Sequence, residues 1–162
     1  MMKVAIVVGS DSDLKFAQEA SEVLKSFDIP HEIFILSAHR TPFETMDFAK
    51  NAEKEFSVII AMAGKAAHLP GVIASLTTVP VIGVPLSVSM NGIDSLLSIS
   101  QMPSGIPVAT MAVDGAKNAA LFATEILSIT DSNLKEKLRK YRENLRDTVV
   151  KKNLSLRNEV SR

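Results

Sequence analysis

The sequence predicts an α/β fold: a three-layer sandwich with helices on both faces of a central parallel sheet, extended at the C-terminus by a further helix. Three observations predict it. Short, continuous runs rich in Val and Ile recur along the chain, as in parallel strands covered on both faces. Helical patterns lie between them, and this β-α-β-α order implies right-handed crossovers. Neither an internal repeat nor a low-complexity linker breaks the alternation. The 162 residues are therefore expected to form a single domain over 1–162, with a core over about 3–130 and a terminal helix over about 132–151.

Each element has its own signal. The strands are expected at Val4–Val8, Glu32–Leu36, Val58–Ala63, Val81–Val84 and Pro107–Val113. The helices are expected at Asp13–Phe27, Pro42–Glu55, Ala67–Leu76, Ile93–Ser98 and Ala116–Ile129. Thr41, Pro42 and Glu44 together make a strong helix start, with Thr41 as N-cap and Pro42 at the first helical position. Ser10 with Asp13 fits a capping box ahead of the first helix. In Ser132–Val150, Leu134, Leu138, Tyr141, Leu145 and Val149 recur at helical spacing among Lys, Arg, Glu and Asn. That is a narrow apolar stripe on a polar helix, suited either to the helix's own domain or to a neighbouring subunit. Asn153–Arg162 is expected to fray.

Composition excludes several classes of function. Lys plus Arg equal Asp plus Glu at 18 each, so no basic excess points to nucleic acid or an anionic membrane surface. With no cysteine, disulfides, thiolate metal sites and cysteine nucleophiles are ruled out, which fits a reducing cytoplasm. The start, MMKVAIVVGSDSD, meets Asp11 at once and reads as a buried strand rather than a targeting segment. Prolines cut the least charged stretch, so no transmembrane helix is expected. That stretch, Ala66–Val113, carries only Asp94, whereas a chain-wide 22% would place roughly 11 charges there. It is read as a surface hidden by other subunits, the competing reading being a central strand with buried helices.

The chemistry is expected at the carboxyl ends of the strands, where open parallel sheets bind ligands. Gly9-Ser10-Asp11-Ser12-Asp13 follows the first strand. Its helix-start amides and hydroxyls suit an anion, and its carboxylates suit a ribose diol better than a bare phosphate. An ordinary strand-to-helix cap reads the same way. Ser37-Ala38-His39-Arg40-Thr41-Pro42 follows the second strand. Arg40 there suits bidentate phosphate binding, and His39 in the same turn is a residue type able to exchange a proton. After the third strand, Ala63-Gly64-Lys65-Ala66-Ala67-His68-Leu69-Pro70-Gly71 lets a ligand approach the backbone. His68 is either a second proton-transfer group or a satisfied buried histidine, and Lys65 either neutralises an anion or is solvated. With a flavodoxin-like strand order, 2-1-3-4-5, the three turns meet at the switch point. The three histidines lack metal-ligand spacing, so no metal is expected. No phosphate-loop, dinucleotide or nucleophile-elbow motif is present.

GSDSD at 9–13, SAHRTP at 37–42, AAHLPG at 66–71, PVIGVP at 80–85, DSLLSISQMPSGIPVAT at 94–110 and NAA at 118–120 occur in that order. Together they resemble the N5-carboxyaminoimidazole ribonucleotide mutase (PurE) family of purine biosynthesis over roughly residues 3–130. The resemblance implies a cofactor-free rearrangement that moves a carboxylate from an exocyclic nitrogen to ring carbon 4. In it, CO2 is released in a closed site and recaptured, and one histidine shuttles protons. It implies that His39 is that histidine, that Ser12, Ser37 and Arg40 contact phosphate, and that Ser10 and Asp13 contact the nucleotide. Ala38, Ala63 and the Gly64-Lys65-Ala66 loop are expected to bind substrate too, with that loop, His68 and Leu69 facing the base and CO2. It further implies octamers with sites between subunits and C-terminal helices reaching across. The family commonly has a second glycine where Lys65 stands. Two other readings are a CO2-dependent aminoimidazole ribonucleotide carboxylase and a non-catalytic nucleotide-binding module. The carboxylase branch usually has Lys at the Arg40 position and lacks HLPG. A receiver-like module would want an acidic residue where Ala63-Gly64 stand.

Overall fold

The computed structural model describes residues 2–160, the side chains of 159 and 160 excepted. Five strands, β1 (Val4–Val8), β2 (His31–Ile35), β3 (Val58–Gly64), β4 (Val81–Leu86) and β5 (Ala109–Thr110), form one sheet in the order β2-β1-β3-β4-β5. Every neighbouring pair is parallel. This is the flavodoxin-like order on which the meeting of the three turns depended.

Among the described residues six α-helices flank the sheet: α1 (Leu14–Ser26), α2 (Pro42–Asn51), α3 (Leu69–Ala74), α4 (Ile93–Ser100), α5 (Ala116–Ser128) and α6 (Ser132–Val160). Successive strand residues point to opposite faces, so each central strand feeds two cores. Val4, Ile6, Val8, Ile60 and Met62 pack with Leu24 of α1, Ala120 of α5 and Leu134 of α6. Ala5, Val7, Ile59 and Ala61 pack on the other face with Ala49 of α2, Ile73 of α3 and Ile99 of α4. β1, β4 and all of β3 except its last residue are buried, which accounts for their unbroken apolar runs.

Both edges depart from the sequence reading. β2 is not covered on both faces. Among the described residues it pairs only with β1, Ile33 and Ile35 are exposed, and its anchor is Phe34, which packs against Phe48 and Phe56 with ring centroids 4.9 and 5.7 Å away. β5 is two residues long rather than Pro107–Val113. Proline explains the shortness: Pro107 cannot donate at one end. On the facing strand Pro85 has no amide beside the carbonyl that accepts from Asp114 N at 2.8 Å.

Helix ends are shifted by local backbone. α3 starts at Leu69 rather than Ala67 because Lys65 and Ala67 hold left-handed φ angles of 55° and 45°. α2 stops at Asn51, and a single tight turn, Ala52–Lys54, carries the chain to β3. α6 is longer than expected: it continues to Val160, with no glycine or proline to stop it, and does not fray from Asn153. Residues 161–162 of that expected frayed end lie outside the described residues. The stripe on α6 splits. Leu134 and Leu138 are buried, and Tyr141 meets Phe27 edge-on at 5.6 Å, whereas Leu145 and Val149 are exposed on this single chain. Among the described residues no helix is long and apolar enough to cross a membrane.

Candidate functional site

The strand order brings the turns after β1, β2 and β3 together at the carboxyl edge of the sheet. They enclose a cleft of about 530 Å³. The cleft is lined by Ser10, Ser12 and Asp13 from the first turn and by Ser37, Ala38, His39 and Arg40 from the second. The third turn adds Ala63, Gly64, Lys65, Ala66, His68 and Leu69. All the candidate residues read from the sequence therefore converge.

The second turn is built as a closed loop. Thr41 N donates to Ser37 O at 2.8 Å, and Ser37 N donates back to Thr41 Oγ1 at 2.9 Å. Thr41 thus occupies the N-cap position, but its hydroxyl serves the turn before the helix rather than the helix amides. Pro42 opens α2 as expected. The loop presents Arg40 toward the first turn. Its Nη2 donates to Gly9 O at 2.6 Å, and its Nε donates to Ser37 Oγ at 3.3 Å. Of five guanidinium N–H groups, roughly three remain for an anion.

The first turn also differs from the expected capping box. Ser10 makes no side-chain cap bond; its hydroxyl donates to Asp11 Oδ1 at 2.9 Å. That bond first, then the Ser12 amide at 3.0 Å, with the Arg40 charge contributing least, holds the Asp11 carboxyl below its ordinary range. Asp13 is buried, with Ser12 Oγ donating to its Oδ1 at 3.2 Å.

His39 and His68 meet across the cleft. His39 Nε2 lies 2.7 Å from His68 Nδ1, and the rings cross at 90° with centroids 4.9 Å apart. Two nitrogens at that distance share one proton, one donating and the other accepting. The pair cannot hold a proton on both facing nitrogens. His68 is exposed, so it is not the buried structural histidine that was the alternative.

The third turn needs Gly64. A Cβ there would stand 2.4 Å from Cγ2 of Val88, which itself lines the cleft. Val88 is a lining residue the sequence reading missed. It follows β4, which neighbours β3, so the same strand-end rule would have found it. Among the described residues no His, Asp or Glu cluster of three is placed to hold a metal.

Comparisons with known proteins give the family of the chain. The family described as AIR carboxylase matches residues 3–148. An N5-carboxyaminoimidazole ribonucleotide mutase of Pyrococcus abyssi is 59% identical over 148 residues, covering 90% of this chain and 85% of that one. The mutase of the same name from Saccharolobus solfataricus is 55% identical over 152 residues, covering 93% and 96%. Among solved structures, Treponema denticola PurE superposes with a TM-score of 0.88 at 31% identity, covering 96% of this chain and 99% of that one. With the matched region spanning both the sheet and the cleft, the chain belongs to the AIR carboxylase family.

Proposed function

We propose that this chain is an N5-carboxyaminoimidazole ribonucleotide mutase, with His39 as its proton carrier. The observation that carries this reading is the His39–His68 pair, 2.7 Å apart in a cleft that also holds Arg40 and Asp13. A hydrogen-bond donor for an anion, a carboxylate suited to a ribose diol and an imidazole pair are the parts a carboxylated ribonucleotide requires.

The reaction balances around one proton. The exocyclic N–C bond breaks, its electron pair goes to nitrogen, and the carboxylate leaves as CO2. Protonated His39 gives its proton to that nitrogen. The electron-rich ring carbon 4 then attacks CO2, forming the new C–C bond. His39, now neutral, takes the proton from that carbon and returns to its starting state. One group must act as acid and then as base, and an imidazole is suited to both steps. His68 accepts or donates on the shared line and fixes the orientation of the His39 ring. Arg40, Ser12 and Ser37 hold the phosphate. Ser10 and Asp13 hold the nucleotide, and Ala38, Ala63, Gly64, Ala66 and Leu69 close around the base.

The working particle is a homo-oligomer, an octamer in this reading, of single-domain subunits in the cytoplasm. Confinement of CO2 requires a sealed site, and His39, Arg40 and His68 are exposed on one chain. Exposed Val88, Met90, Ile93 and Leu97, all from the stretch whose single charge is Asp94, supply an apolar surface for neighbours beside the cleft.

The test is an interconversion assay. Purified protein converts the N-carboxylated ribonucleotide to its C4 isomer without ATP or added metal. Carboxylation of the aminoimidazole ribonucleotide only when CO2 or bicarbonate is supplied would assign the chain to the carboxylase reaction instead.

A further inference from the structure

We propose that Lys65 is the second anion anchor of the cleft, its ammonium holding the carboxylate that moves while Arg40 holds the phosphate. The inference rests on the proposed mutase reading and extends it to a residue that sets affinity for the carboxylated nucleotides.

The charge distribution points to it. Besides its two histidines, the cleft is lined by three side chains of charged type: Asp13, Arg40 and Lys65. Arg40 is drawn to the β1–β2 side by Gly9 O and Ser37 Oγ. Lys65 lies on the other side, in the turn after β3 that also carries His68. A carboxylated ribonucleotide brings two separate anions, so one cation at each side of the cleft matches it. Beyond Lys65 the sequence carries no further Lys or Arg until Lys117, so the turns after β3 and β4 offer no other ammonium or guanidinium.

The backbone supports the same reading. Lys65 holds a φ of 55°, a left-handed conformation that disfavours any residue with a Cβ. Such conformations persist where the surroundings over-determine them and gather at functional sites. Lys65 is exposed, and its ammonium enters no ion pair or hydrogen bond with a described residue. Neither packing nor pairing accounts for a lysine at this point. The moving group is anionic at both ends of the reaction and neutral only as CO2. An ammonium beside it favours its attached forms.

Calorimetric titration tests this with two stable probes, 4-carboxy-5-aminoimidazole ribonucleotide and 5-aminoimidazole ribonucleotide, which lacks the carboxylate. For Lys65→Met the Kd of the carboxylated probe rises roughly tenfold, and that of the other stays within about twofold. Lys65→Gly, which relieves the backbone and removes the ammonium, gives the same ratio. Lys65→Arg restores binding of the carboxylated probe to within about threefold. Equal weakening of both probes, or no change in either, overturns the role of Lys65 while leaving the mutase reading in place. Failure of the native protein to bind either probe overturns the mutase reading and this inference with it.

Discussion

Gly64→Ala probes how tightly the turns after β3 and β4 are fitted at the cleft. A Cβ at Gly64 would stand 2.4 Å from Val88 Cγ2 and 2.8 Å from Val88 Cβ. Both distances are well inside van der Waals contact, so one of the two turns must move. Gly64 is not among the glycines with positive φ, so its backbone accepts an alanine and the penalty is steric alone. Over-packing of this kind costs about 1–3 kcal/mol. Restricting the unfolded chain returns about 0.4–1 kcal/mol. The expected net loss is about 1–2 kcal/mol. Gly9→Ala is the internal control: its Cβ would meet only Asp13 Oδ2, at 4.0 Å, an ordinary contact. That substitution should leave stability within about 0.5 kcal/mol. Urea unfolding at one fixed protein concentration measures both, because assembly makes stability depend on concentration. In a Val88→Gly background, Gly64→Ala should become nearly neutral, a coupling that a double-mutant cycle reads directly. A loss of the same size with and without Val88 would refute the steric argument.

Other substitutions test other parts of the account. Arg40→Ala should weaken binding of the ribonucleotide about 10- to 100-fold and that of the nucleoside less than about threefold, measured by titration calorimetry. Equal losses would remove Arg40 from the phosphate. Glu53 accepts from Thr78 Oγ1 at 2.7 Å and Thr78 N at 3.1 Å, and these two bonds, the hydroxyl first, hold its carboxyl below the ordinary value of 4.5. A depressed folded-state pKa gives stability that is present above the ordinary value and lost as pH falls through the folded one. The Tm gap between native protein and Glu53→Gln should therefore narrow from about pH 6 to about pH 3. Leu138→Ala, in the buried half of the α6 stripe, should cost about 2–4 kcal/mol. Leu145→Ser with Val149→Ser, in the exposed half, should instead lower the particle mass in light scattering without loss of helicity.

Much of the architecture was legible because the central strands are covered on both faces. Val4–Val8 and Val58–Gly64 can only be runs of apolar residues there, and such runs fix strand positions well. The cleft was legible because parallel order forces the chemistry to one sheet edge. Ser10, Arg40 and His68 lie in three separate turns yet line one cleft. What was not legible depends on contacts distant in sequence. Exposure of β2 follows from its place at the edge, which its own pattern of Ile and Phe does not reveal. The hydroxyl of Thr41 serves Ser37 instead of α2 because a closed turn satisfies both at once. Shortening of β5 reflects Pro85 on another strand. The His39–His68 contact joins residues 29 apart in sequence, and neither motif alone announces the other. Val88 carries no polar group to mark it in the sequence, although the turn after β4 obeys the same rule.

In the proposed reaction the imidazole at position 39 carries the proton between nitrogen and carbon. Turnover and nucleotide binding measured on one preparation of His39→Asn test it most directly. The variant should keep nucleotide affinity within about threefold of native, with ATP-free interconversion slowed at least about 100-fold. Interconversion at the native rate would contradict it.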